Sequence, residues 1–147
     1  MAFRFVAWLR GLGLLLGVEF GLGIWLSAYG TFPDSTSLVR AATDRADPVL
    51  ILHLALAAVL LVLAFAVAVR SFGSDAPPHL RWYVVGLFGA LLAAYECGSE
   101  FVLSNYNNNA FSLGMLVGFV AAAAFDGLGQ RYLIRTAIPP ETPTVTA

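Results

Sequence analysis

Four ionisable side chains sit where ordinary packing would not put them, and any chemistry in this chain would begin there. Glu19 interrupts an apolar run from Phe5 to Ala28, and His53 lies near the start of a second run, Val49 to Val69. Glu96 and Glu100 fall inside a third, Trp82 to Leu103. An ionisable group in hydrocarbon costs roughly 2.5–3.5 kcal/mol on insertion scales, so each should face protein or water. Glu96 and Glu100 are four residues apart and share a helical face with Gly89 and Ala93. Two carboxylates one turn apart repel when both are ionised, which makes such a pair a place to keep a proton. With His53 they compose a candidate proton-binding or polar-ligand site. The bland alternative is a set of internal hydrogen bonds with no ligand. The same oxygens and nitrogen could hold a divalent metal. No second histidine joins them and the Glu-x-x-His pairing of di-iron bundles is missing, so the reading is no metal.

What must position these groups is a set of long apolar helices. The chain has 147 residues, of which 59% are hydrophobic and 12% charged, about half the charge of an ordinary soluble domain. A fourth apolar run, from Ala110 to about Leu128, completes the series. Each run has about the 17–25 residues that a spanning helix needs. Four such helices with a soluble exterior would leave a large sticky surface. The expected architecture is therefore an all-α, four-helix integral membrane bundle with spans 5–28, 49–70, 82–103 and 110–128. It forms a single domain over 1–138, with an outer loop at 29–48 that includes a short surface helix over 36–46. The Pro-rich tail 139–147 reads as disordered. The first run exceeds the apolar core of a signal peptide and contains Glu19, so it reads as an uncleaved span.

Orientation follows from the arginines, since the chain has no lysine. Arg4, Arg10, Arg70, Arg81, Arg131 and Arg135 collect on one side; Arg40 and Arg45 face the other among three aspartates. The positive-inside rule places both termini in the cytoplasm of a multi-pass cell-membrane protein. At 1.5 Å per residue, all four ionisable residues then fall in the outer half, Glu19 and Glu96 deeper than His53 and Glu100.

Small residues recur at helical spacing and predict close helix contacts. They are Gly13, Gly17 and Gly21 in the first span, Gly86, Ala90 and Gly98 in the third, and Gly114 and Gly118 in the fourth. Asp126 continues that last stripe and, at the expected end of the span, reads as a boundary anchor for Arg10, Arg81 or Arg131. Cys97, the only cysteine, reads as a packed hydrophobe.

The run His53-Leu54-Ala55-Leu56-Ala57-Ala58 resembles the histidine-bearing helices of membrane haem b proteins such as haem A synthase, and that resemblance makes haem b on His53 an alternative. His79, the other histidine, lies on the far side of the bundle and cannot ligate the same iron. The segments Glu100-Phe101-Val102-Leu103, Asn107-Asn108 and Phe111-Ser112-Leu113-Gly114-Met115 resemble uncharacterised small four-span proteins of prokaryotes, of an archaeal type. That resemblance implies no activity.

No nucleophile–base pair, phosphate loop or CxxC is present, and no basic stripe suggests nucleic acid. The favoured function is a non-enzymatic accessory or assembly subunit of a larger membrane complex, in contact with lipid and with other subunits or further copies of itself. The competing reading is a small redox or transport unit that binds a proton, haem, quinone or other small ligand at the outer cluster of Glu19, His53, Glu96 and Glu100.

Overall fold

The computed structural model describes residues 2–30, 48–73 and 76–137. Four helices occupy almost all of them: α1 (Ala2–Tyr29), α2 (Pro48–Ser71), α3 (Leu80–Leu103) and α4 (Asn109–Ala137). No strand occurs among the described residues. Each helix is long and apolar enough to cross a membrane. The surface helix expected over 36–46 and the tail 139–147 lie outside the described residues.

Local chemistry sets the ends. Pro48 opens α2 at the first helical position, where its missing N–H costs nothing. The side chain of Asn108 caps α4, its Oδ1 accepting from the Ala110 N–H at 3.0 Å. α3 stops in paired backbone bonds, Asn105 N–H to Val102 O and Tyr106 N–H to Phe101 O. Asn105 and Tyr106 both have positive φ (53° and 60°), the left-handed conformation that closes a Schellman motif.

The helices form a ring in chain order, α1 against α2, α2 against α3, α3 against α4, and α4 back against α1. Neighbours run antiparallel. Arg70, at the end of α2, lies over the Trp8 ring near the start of α1. Phe20 of α1 stacks on Phe119 of α4, while Leu9 meets Gly129 a few turns away. The core is a thread of leucine, valine and alanine down the middle. On α1 its members are Leu9, Leu12, Leu16 and Leu26, at alternating three- and four-residue steps that also place Glu19 inward.

The small residues divide into two groups. Those of α3 and α4 pack on each other: Gly86 faces Phe125, Gly98 faces Met115, and Gly114 faces Cys97. Gly118 differs in lying against backbone. A methyl group there would lie 2.9 Å from the Ala90 carbonyl oxygen and the Ala94 Cβ. On α1, Gly13 meets Asp126, but a methyl on Gly17 or Gly21 meets nothing within 4 Å. Among the described residues, close packing through Gly17 and Gly21 is therefore not seen, because α1 approaches its neighbours on its leucine face instead.

α4 also departs from the expected span. It runs on from 128 to Ala137. Asp126 consequently lies three residues past Ala123, the middle of the helix, rather than at its end.

These contacts make opposite predictions for two glycine-to-alanine changes. Gly21→Ala should raise stability by about 0.5–1 kcal/mol, the usual helix gain. Gly118→Ala should lower it by about 1–3 kcal/mol, since backbone must move. Unfolding midpoints in mild detergent would show the two shifts with opposite sign.

Candidate functional site

Among the described residues, two buried acidic groups lie inside the ring, and two others lie outside it. Glu19 is buried, with its side chain 3% exposed, and its Oε1 is 2.8 Å from His53 Nδ1 across the α1–α2 contact. That is ion-pair distance when the histidine is protonated. The contact is close without being well aligned, since neither Nδ1 nor the second glutamate oxygen, Oε2, completes a hydrogen bond of good geometry. His53 remains a quarter exposed, so the pair is reachable from one side.

Gly23 explains how residues of different depth meet. The site of its missing Cβ is 3.6 Å from His53 Cε1, so the imidazole lies over Gly23, one turn along α1 from Glu19. The Glu19 side chain reaches along that turn to the ring. Gly23 was not singled out in the sequence. The four-residue step from Glu19 was the available signal.

Glu96 and Glu100 do not join this pair. Leu80, Val84, Leu87, Leu91, Ala94 and Val102 carry the buried face of α3, and the two glutamates lie on its other side, both exposed. Gly89 and Ala93, in line with them, are exposed as well. The four sequence-selected groups therefore separate into an inward pair and an outward pair. The reason is rotational: residues two positions from a core position point almost oppositely on a helix.

Asp126 is the second buried acid, 4% exposed. None of the arginines expected to anchor it does so among the described residues. Instead Gln130 Nε2, one turn on, donates to its Oδ2 at 2.7 Å, and Oδ1 is buried without a hydrogen bond. The i, i+4 spacing of Asp126 and Gln130 was legible in the sequence, but the deep position of the pair depended on how far α4 continues.

His53 and His79 stand at opposite ends of the bundle, as the start of α2 and the approach to α3 require. Among the described residues no three histidine, cysteine or acidic side chains converge on a metal-sized space. Compared with known protein families, characterised proteins and solved structures, the chain has no significant match.

The Glu19–His53 contact predicts a coupled response. Removing His53 alone (His53→Leu) leaves a buried carboxylate without its partner and should cost about 1–3 kcal/mol. Replacing both (Glu19→Leu with His53→Leu) should recover most of that loss. A double-mutant cycle on unfolding in detergent would measure the coupling, and simple additivity would mean that the contact contributes nothing.

Proposed function

We propose that this is a multi-pass protein of the cell membrane, with both termini cytoplasmic, that serves as a non-enzymatic accessory subunit of a larger membrane assembly. The observation behind this reading is the outward stripe of α3, where Gly89, Ala93, Glu96 and Glu100 lie exposed along one face. Small residues let another helix approach closely, and carboxylates offer it hydrogen bonds. Left against lipid, those carboxylates would be costly, by about 2.5–3.5 kcal/mol for each at the bilayer centre and less toward the interface.

The described helices of a second copy would offer these acids no cation. Arg10, Arg70, Arg81, Arg131 and Arg135 all belong to the opposite end of the helices. A second copy in the same orientation brings no arginine from a described residue to the height of Glu96. The partner helix would carry basic or amide side chains in its outer half. The arginine distribution is also what supports the cytoplasmic termini.

The test is assembly size. Tagged protein extracted from its native membrane in mild detergent should migrate as a complex larger than the chain itself. Replacing both outward acids (Glu96→Leu with Glu100→Leu) should release the partner while leaving the bundle's unfolding midpoint within about 0.5 kcal/mol of wild type or above it. A wild-type protein that is a clean, stable monomer in that extract would overturn the subunit reading.

The Glu19–His53 contact favours a second reading, a unit that binds a proton or small polar ligand between α1 and α2. Under it, Glu19→Gln changes proton uptake by the purified bundle, and an unchanged uptake curve removes it. A Soret band in the purified protein that is lost in His53→Leu would instead assign haem to His53.

A further inference from the structure

An open groove with about 400 Å³ of free space lies between α1 and α4, on a different contact of α1 from the one that holds His53. That volume is at the small end of the range for small-molecule sites. Leu16 and Phe20 of α1 and Phe119 and Val120 of α4 form its apolar walls. The two phenyl rings stack across the helices, with centroids 5.9 Å apart and planes inclined by 26°. Gly17 leaves its side of the opening clear, since a methyl there would touch nothing within 4 Å.

Asp126 is the acidic group of this lining. Gly13 is what lets its carboxylate lie against α1, because a methyl on Gly13 would stand 2.7 Å from Oδ2. With Oδ2 engaged by Gln130, Oδ1 remains as a buried acceptor with no hydrogen bond. Gln130 supplies no charge, and Asp126 takes part in no ion pair among the described residues. An occupant must therefore complement an acid and a set of apolar, partly aromatic walls at once. A neutral hydrocarbon would leave the acid without a partner, and an anion would be repelled.

We propose that this groove binds a lipophilic ammonium compound, its apolar body between Phe119 and Leu16 and its charged end against the Asp126 carboxylate. Charge-assisted hydrogen bonds are the stronger kind. The binding site is independent of the subunit reading, which concerns the outer face of α3.

The experiment uses the full chain in phosphatidylcholine nanodiscs, titrated by fluorescence with 1-naphthylmethylamine and, separately, with its neutral counterpart 1-naphthylmethanol. The amine should saturate at one site per chain and bind more tightly than the alcohol. Asp126→Asn keeps the shape of the side chain and should weaken the amine by about tenfold or more while leaving the alcohol unchanged. Gly17→Leu, placed where the structure has room, should block both probes without lowering the unfolding midpoint. If Asp126→Asn does not fold, Gly17→Leu still decides whether the groove is the site. The proposal is overturned if the amine partitions without saturating or binds no better than the alcohol. It is also overturned if Asp126→Asn or Gly17→Leu retains wild-type amine binding.

Discussion

Helices that are apolar on every face gain little by turning toward one another when their surroundings are equally apolar, so what holds them must be close packing or polar contact. Both occur here, in different places. The α3–α4 contact is built from small residues, with the Gly118 backbone against Ala90 and Ala94 and with Cys97 filling the space left by Gly114. The α1–α2 contact is wider, filled by leucines, and contains the close approach of Glu19 to His53. The ring is thus stiffened on one side by shape and tied on the other by a polar pair.

The same constraint distinguishes the acidic residues. Glu19 has a partner on the next helix. Asp126 has half of one, an amide on its own helix that engages a single oxygen. Glu96 and Glu100 point outward. In an apolar environment an unpaired polar group is a demand for a partner, and the direction in which each group points tells where that partner must come from. Glu19 approaches a histidine within the bundle through one oxygen, Oε1. Asp126 addresses a groove between two helices, and the α3 glutamates address whatever lies beside the molecule. Three different relations to the surroundings thus arise from four residues of nearly identical chemistry.

Composition and run length were enough to give four long apolar helices, and the starts of α2 and α4 follow from Pro48 and Asn108, because these are local properties of the chain. The end of α4 was harder to read. Gly127, Gln130 and Arg131 resemble a stop, yet the helix continues, with Leu133 buried against the core and Thr136 hydrogen-bonded to the backbone of its own helix. That continuation moved Asp126 from the expected boundary to near mid-height and changed what the residue can do.

The identities of the polar residues, their spacing along each helix and the small-residue stripes were determined by the sequence by itself. Which stripe faces a neighbour was not, because an apolar helix in a ring can rotate with little change in its own pattern, and hydrophobicity on all sides carries no inward direction. Only the tertiary structure decided that Glu19 turns toward His53 over Gly23 while Glu96 and Glu100 turn away. It also decided that Gly118 is packed while Gly17 borders open space. Rotation and vertical register of each helix are set by all four together, and that information is absent from any one of them alone.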